Sequence, residues 1–441
     1  MKNINITQAI LIGISIIAIL TAVIIFATFR GKDNSSPNGT VVLWGTIPKN
    51  TFGEALLKLT NQGKEIKGLV YVQKSASSID SELVKAIAEG TGPDLVLLDE
   101  KKILQNKNII QKIPFESYPL RNYQDLFIQE SSLLETNEGF LGFPFLVDPI
   151  VMYYNKNMLT NAGYSKPPET WTEVLSLVPV LTQKDSSFNI SKSAISLGSF
   201  DNINNAKDIY WTLVLQAGNP VIEKRLNNVN KQEYKSILKE NLNYTLNPAY
   251  AATNFFTQFS NPVKTVYSWN RSLQSSQTMF ISEELAFYLG YQSEFKNIRK
   301  LNPNLNFDVT LVPQSQSSTR KVTYGSMSTL VIPRTAKNIK GATLAMYALT
   351  SKESQGIFAK ELNMSSVRKD ILAVPDKASP YESIFSKAAI MSQGILEPDP
   401  IKTSIIVKEL IETVISGQYE VSEAVSRADE KLVNLLPYEK N

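Results

Sequence analysis

The feature that most constrains this chain is an apolar run near its amino terminus, residues 9–29, which carries no charged side chain. As a helix this run would rise roughly 31 Å, which matches a bilayer hydrocarbon core of about 30 Å. It ends in Ala27-Thr28-Phe29-Arg30, a poor signal-peptidase site, and the chain has no cysteine that could carry a lipid. The sequence therefore predicts one uncleaved transmembrane helix over residues 9–29.

A polar segment follows the predicted anchor. Gly31 to Gly39 is rich in Gly, Ser, Asn and Pro, which predicts a flexible tether over residues 30–39. Lys2 and the terminal amine precede the apolar run, whereas Arg30 and Lys32 follow it. Because these positive charges nearly balance, the positive-inside rule does not orient the helix. The orientation of the helix in the membrane therefore has to be inferred from the rest of the chain.

The composition narrows the chemistry of the remaining chain. With 441 residues, 43% of them hydrophobic and 20% charged, it is expected to form two or more globular domains. It contains no histidine and no cysteine, which excludes imidazole or thiolate catalysis and metal ligation by either group. A net charge of +4 is small for this length and argues against nucleic-acid binding. We therefore expect no cofactor, no metal and no nucleic-acid partner.

Strand and helix patterns alternate along the first part of the body. Short apolar strands are predicted at Thr40–Trp44, Gly68–Val72 and Leu95–Leu98, and an amphipathic helix at Ser81–Glu89. This alternation is typical of a parallel sheet covered by helices. A longer extended segment starts at Phe143 and contains Pro149, which cannot donate a ladder hydrogen bond. We expect the strand to be interrupted or at an edge there, where the chain can leave one sheet and enter another.

A series of short motifs then suggests a family. The motifs, in chain order, are Gly92-Pro-Asp94 before an apolar strand, Pro144 and Asp148 ahead of Tyr153-Tyr-Asn-Lys156, then Ala162-Gly163, Pro167-Pro168 and Thr170-Trp171-Thr172-Glu173. In this order they resemble the extracellular solute-binding proteins of ABC importers, the family that includes maltose-binding and other sugar-binding proteins. The resemblance covers about residues 40–437.

The resemblance implies an α/β architecture of the periplasmic-binding-protein type II fold. This fold has two lobes, each a mostly parallel sheet flanked by helices, and here it would be joined to one amino-terminal transmembrane helix. The expected boundaries are residues 40–147 and 308–333 for lobe 1, and residues 148–307 and 334–441 for lobe 2. Family members lie outside the cytoplasmic membrane, which implies a single-pass protein with its body on the extracytoplasmic side.

The resemblance also implies ligand contacts in the cleft between the lobes. They are Trp44, Thr46, Asp148, Phe200, Asp201, Asn202, Tyr291, Tyr324, Gly325 and Ser326. Aromatic rings stack on the C–H faces of sugars, and carboxylate, amide and hydroxyl groups orient their hydroxyls. Each position also has a structural interpretation, such as a turn aspartate before Pro149 for Asp148 or a buried core residue for Trp44.

Several neighbouring residues are expected to have structural roles only. Lys101 and Lys102 lie near charged ligand-contacting positions of sugar-binding relatives, but a lysine pair is more typical of a solvated face. Trp211 lies in a predicted helix and is expected in the core. Thr170 and Glu173 form a predicted capping box, which explains Thr170 and the packing of Trp171 without a ligand.

These observations lead to one functional hypothesis with two alternatives. We expect a membrane-anchored binding protein, not an enzyme, that captures a polar solute by lobe closure and delivers it to the permease subunits of an ABC transporter. The solute is expected to be a carbohydrate. One alternative is a tethered sensor or adhesion module that keeps the fold without transport. The other is a hydrolase using two carboxylates, although no acid pair stands out as a motif.

Overall fold

A computed structural model describes residues 39–187, 189–227, 232–242, 246–316, 320–376 and 379–437. The predicted transmembrane helix at residues 9–29 and all but the last residue of the predicted tether lie outside these ranges. Within them, no helix is both long and apolar enough to cross a membrane.

The strands, in chain order, are β1 Val41–Gly45, β2 Leu69–Gln73, β3 Leu95–Asp99, β4 Ile113–Pro114, β5 Gly139–Phe140, β6 Phe143–Asn155, β7 Gln183–Lys184, β8 Ile190–Ile195, β9 Ile222–Leu226, β10 Gln232–Ser236, β11 Leu285–Tyr291, β12 Phe307–Thr310, β13 Thr323–Val331, β14 Ser365–Ser366 and β15 Ser392–Gln393.

The α-helices are α1 Lys49–Asn61, α2 Ile79–Ala88, α3 Ile103–Asn106, α4 Leu120–Leu126, α5 Lys156–Asn161, α6 Trp171–Leu181, α7 Ala206–Gln216, α8 Pro248–Thr257, α9 Ser276–Ile281, α10 Phe295–Leu301, α11 Ile339–Leu349, α12 Lys352–Leu362, α13 Lys369–Leu372, α14 Glu382–Met391, α15 Pro400–Ile415 and α16 Val421–Leu435. Short 3-10 turns include Glu100–Lys102, Gln129–Leu134 and Gln292–Glu294.

One strand links the two halves of the molecule. The first part of β6 pairs with β13 up to Pro149, and the second part pairs with β11 from Ile150 onward. The predicted interruption at Pro149 is therefore a change of partner strand within one unbroken strand. As a result, the main strands form one continuous sheet in the order β2-β1-β3-β13-β6-β11-β8-β7.

The sheet is mixed, whereas a mostly parallel sheet was predicted for each lobe. Strand β1 is parallel to β2 and β3, and β11 is parallel to β8. Strand β13 is antiparallel to both β3 and β6, and β11 is antiparallel to β6. The antiparallel strands are those next to the crossover, because β6 passes through both halves in one direction while β13 and β11 run back along it.

Two hydrophobic cores lie on either side of this crossover. The first includes Leu43, Phe143 and Leu330, and we call the residues packed on it the first lobe. The second includes Trp211 and Phe287, and its residues form the second lobe.

The packing differs from the predicted lobe boundaries after residue 307. Val309 and Val322 belong to the second core, although residues 308–333 were predicted in lobe 1. Met346 and Phe358 of α11 and α12 belong to the first core, although residues 334–441 were predicted in lobe 2. The reason is that α12 packs against α1 and so belongs to the first lobe. The next buried residue of the second core along the chain is Phe385.

Candidate functional site

The candidate site lies at the seam between the lobes, where β3 ends. After Asp99 the chain makes the 3-10 turn Glu100–Lys102, in which Asp99 Oδ1 accepts a hydrogen bond from the Lys101 amide at 3.0 Å. This cap directs the chain away from the sheet at the carboxyl end of the strand. Side chains at such strand ends commonly face the binding crevice of an α/β protein.

The second lobe contributes the first turn of α7. The residue before this helix, Asn205, adopts a left-handed conformation with φ of 60°, and Asn205 Nδ2 donates to Glu294 Oε1 at 2.8 Å. Asparagine tolerates this conformation better than most residues. The tight entry places Lys207 and Asp208 at the start of the helix, facing the seam.

An ion pair crosses the seam between these two segments. Lys101 Nζ lies 3.2 Å from Asp208 Oδ2, and Tyr291 OH donates to the same oxygen at 2.7 Å. The Lys101 and Asp208 side chains are only 13% and 11% exposed. Burial alone would lower the pKa of the Lys101 ammonium, but the charges of Asp208 and Tyr291 raise that pKa well above its ordinary value. The lysine is therefore held in its charged form.

A second ion pair lies beside the first. Lys207 Nζ is 2.7 Å from both carboxylate oxygens of Glu397, whose side chain is fully buried. Burial raises the pKa of Glu397, and the neighbouring lysine charges oppose that rise. Each lysine of the seam thus has an acidic partner, so the cluster carries little net charge toward a ligand.

A small cavity opens next to the two ion pairs. It has a volume of about 330 Å³ and is lined by Phe200, Asp201, Ile203, Asn205, Ala206, Lys207, Asp208 and Ser404. Among the described residues, Asp208 Oδ1 receives no hydrogen bond, and the Lys207 ammonium is 3.9 Å from it. A buried carboxylate oxygen without a donor is costly, so Asp208 Oδ1 is an unused hydrogen-bond acceptor next to the cavity.

A larger cavity, of about 1260 Å³, lies at the opposite end of α7. Its lining includes Trp171, Leu213, Gln216 and Phe255, with Arg320 as the one ionisable side chain among the described lining residues. We place the site at the smaller cavity, since that cavity touches charged side chains at the seam.

Three buried carboxyl groups lie behind the ion pairs, around the crossover strand. Asp148 Oδ1 accepts from the Ser293 amide at 3.0 Å, and burial raises the pKa of Asp148 to about 7. Glu100 accepts from the Met327 amide at 2.6 Å, and burial together with the nearby Asp99 raises its pKa. These carboxyl groups favour the neutral form because burial penalises their charge.

The third carboxyl group, Glu130, is the most isolated. It is 1% exposed, and neither of its oxygens has a hydrogen-bond partner among the described residues. Burial raises the pKa of Glu130 to about 8. It lies against Gly325, where a Cβ atom would come within 2.5 Å of Glu130 Oε2. Glycine at 325 is therefore required by packing on the carboxyl group.

Several predicted site residues gather at this seam. Tyr291 joins the Lys101–Asp208 pair, and Asp148 lies directly opposite Ser326 in the β6–β13 register. Tyr324 is fully buried, with its hydroxyl 3.4 Å from Glu100 Oε1.

Other predicted residues are placed differently. Trp44 is the penultimate residue of β1, with Lys74 Nζ 3.8 Å from its ring centroid, and Thr46 is exposed in the following loop. Phe200 and Asp201 line the 330 Å³ cavity. The Asn202 side chain instead binds Trp269 Nε1 and two backbone carbonyls, which fixes the loop and leaves it little capacity for a ligand.

Sequence reasoning missed most of the charged cluster. Lys101 was expected on a solvated face and is instead largely buried against Asp208. Lys102 pairs with Asp80 at 2.6 Å, on a partly exposed surface. The sequence did not predict Lys207, Asp208 or Glu397. The one signal that pointed to this cluster was the position of Lys101, just after the strand that follows Gly92-Pro-Asp94. The capping box of Thr170 and Glu173 and the core position of Trp211 are confirmed.

Comparison with known sequences identifies the family. The profile of the bacterial extracellular solute-binding proteins matches residues 50–356. The chain belongs to this family.

Solved structures share the fold at low sequence identity. A cyclo/maltodextrin-binding protein complexed with maltotetraose superposes with a TM-score of 0.70 at 17% identity, covering 91% of this chain and 98% of that chain. The sugar-binding protein MalE from Xanthomonas citri gives 0.72 at 15% identity, with 90% and 97% covered. A solute-binding protein from Thermotoga lettingae, bound with α-D-tagatose, gives 0.62 at 18% identity, with 90% and 99% covered. The two-lobed α/β architecture is therefore that of this family.

Proposed function

We propose that the protein is an extracytoplasmic binding protein that captures a neutral carbohydrate at the seam between its lobes. The observation that carries the proposal is the arrangement of Asp208. Its Oδ2 is held by Lys101 and Tyr291, while its Oδ1 is buried without a hydrogen-bond donor among the described residues, beside a cavity that Asp208 helps to line. A ligand hydroxyl can supply that donor.

The charge pattern supports a neutral ligand. The lysines at the seam are paired with Asp208 and Glu397, so a ligand with a net charge would meet no unpaired counter-charge in this cluster. The cavity of about 330 Å³ lies at the lower end of the range of small-molecule sites. A ring with several hydroxyls fits both the size and the acceptor chemistry, and Phe200 offers an apolar surface at the same cavity.

The contact of Lys101 with Asp208 across the seam supports the proposal that the lobes close on the ligand. Lys101 follows β3 of the first lobe, whereas Asp208 and Tyr291 come from the second. A ligand that contacts both sides gains its full interaction only when the lobes are together, which shifts the open–closed equilibrium toward closure. A shift from about 1:99 to about 99:1 requires a preference of about 5.5 kcal/mol.

We further propose that residues 9–29 anchor the body to the outer face of the cytoplasmic membrane. There the closed form would deliver its solute to the permease subunits of an ABC importer. Crosslinking of the sugar-loaded protein in its own membrane distinguishes this role from a tethered sensor or adhesion module, because only delivery requires capture of a permease subunit.

A thermal-shift screen tests ligand capture. The full chain is heated with neutral sugars, including maltotetraose and tagatose, since a ligand that binds only the folded state raises the melting temperature. We expect at least one sugar to stabilise the wild type and the control Asp125→Asn, whose side chain is 73% exposed on α4. Asp208→Asn should weaken binding by tenfold or more, about 1.4 kcal/mol, through the lost charged acceptor. Sugar binding of equal affinity in Asp208→Asn would contradict the assignment.

A further inference from the structure

A β-hairpin of the second lobe reaches across to the first lobe, away from the sugar cavity. The hairpin consists of β9 and β10, which pair in antiparallel register with Lys224 opposite Tyr234. Val221 and Ile222 at its base belong to the second core, and Ser236 Oγ donates to Asp429 Oδ1 of α16 at 2.6 Å. The hairpin is therefore fixed to the second lobe and moves with it.

The first contact between the hairpin and the first lobe is made by the ammonium group of Lys224. Lys224 Nζ lies 2.9 Å from the carbonyl oxygen of Ser132 and 2.8 Å from those of Leu133 and Glu135. These carbonyls belong to the last residues of the 3-10 turn Gln129–Leu134 and to the residue after it, where Leu134 packs in the first core and the Leu133 side chain packs against the second. The Ser132 carbonyl also accepts from the Glu135 amide at 3.2 Å. An ammonium has three donors, and all three are used here.

A second contact holds the other strand of the hairpin. Lys107 follows a short helix in which Ile103 packs in the first core and Leu104 in the second, and its Nζ lies 4.7 Å from the ring centroid of Tyr234. The cross-lobe contacts thus come from both strands, and none of these residues lines the cavity at Asp208.

We propose that Lys224 is a clasp that holds the two lobes closed independently of ligand. When the lobes separate, the ammonium must leave its three carbonyl partners, so its hydrogen bonds contribute to the closed state alone. Removing them favours the open form without altering any group at the sugar cavity. The inference rests on lobe closure, which is part of the proposed function.

The test measures the distance between the lobes directly. The chain has no cysteine, so Lys85→Cys on α2 and Lys402→Cys on α15 allow two spin labels to be attached without other changes. These side chains are 75% and 63% exposed. Distance distributions from pulsed electron spin resonance on the ligand-free full chain then give the ratio of closed to open molecules.

We expect Lys224→Met to lower the closed-to-open ratio by roughly tenfold, from the loss of a charged hydrogen-bond set. The matched control is Lys235→Met on β10, whose ammonium pairs with Glu240 within the same lobe and is 47% exposed. That control should leave the ratio unchanged. If Lys224→Met does not fold, Lys224→Gln, which keeps an amide donor, should give a smaller shift in the same direction.

The outcomes separate the clasp from the proposed function. Two distance populations in the wild type, with the same ratio in both Lys224 variants, would overturn the clasp and leave lobe closure intact. A single population that is the same in the wild type and both Lys224 variants, and is unchanged by sugars that bind, would overturn lobe closure and the clasp together.

Discussion

The charged groups on the two sides of the lobe crossover differ in how they are paired. At the seam, Asp208 and Glu397 each face a lysine at hydrogen-bonding distance. Around the crossover strand, Glu130 and Asp148 are also buried, but neither has an ion-pair partner among the described residues. Burial raises the pKa of Glu397, but the neighbouring lysine charges oppose that rise. Burial without an ion pair raises the pKa of Asp148 to about 7 and that of Glu130 to about 8.

The largest expected effect comes from breaking the cross-lobe pair. Lys101→Met leaves the buried Asp208 with only the more distant Lys207 ammonium, 3.9 Å away, and loss of one partner of a buried pair costs about 3–5 kcal/mol. The free energy of unfolding from urea titration measures this loss. Lys102→Met is the control, because its pair with Asp80 is partly exposed and should cost no more than about 1 kcal/mol. Equal losses in the two variants would show that the seam pair has no special role.

An intermediate effect on the free energy of unfolding is expected from pH, through the protonation of Glu130. The folded pKa of Glu130, about 8, lies above its ordinary value of 4.5, so folding takes up a proton between these pH values. The stabilising contribution is therefore complete below about pH 4.5 and is lost as pH rises toward about 8. Glu130→Gln should flatten this fall, which amounts to a few kcal/mol for a pKa raised from 4.5 to about 8.

The measurement for Glu130 is the free energy of unfolding at several pH values between 4 and 9. Glu138→Gln is the matched control, since this carboxylate is 65% exposed and its pKa is lowered by Lys112. A pH profile of Glu130→Gln that superposes on the wild-type profile would show that Glu130 does not take up a proton on folding.

The smallest loss of stability is expected from adding a methyl group next to Glu130. Gly325→Ala would place a methyl group 2.5 Å from Glu130 Oε2 and 2.7 Å from Ser392, an overpacked site that should cost about 1–3 kcal/mol. Gly356→Ala on α12 meets no atom within 4 Å and should be neutral or stabilising by up to about 1 kcal/mol. Unfolding titrations compare the two, and equal stability would show that the backbone shifts freely at Gly325.

Local patterns in the sequence were sufficient to predict many of the strands and one helix cap. The strands near residues 41–45, 69–73 and 95–99 and the capping box at Thr170 follow from periodicity and side-chain chemistry within a few residues. Pro149 marked the crossover because proline cannot donate within a ladder. The return of α11 and α12 to the first lobe was not predictable, since an amphipathic pattern shows that a face is buried but not which sheet buries it.

The candidate site could be predicted less completely than the fold, because its residues are far apart in the sequence. Lys101 and Asp208 are 107 positions apart, and only the folded chain brings them to 3.2 Å. Tyr291 and Asp148 came from the family resemblance, and the structure places both at the seam. The cavity beside Asp208 depends on the left-handed entry at Asn205, which the sequence does not specify.

A crystal structure of the full chain with a sugar that raises its melting temperature tests whether the sugar binds between the lobes. We expect sugar density there, with a hydroxyl donating to Asp208 Oδ1 and contacts from both lobes. Sugar density confined to the 1260 Å³ cavity at the far end of α7, with no contact to Asp208, would contradict this expectation.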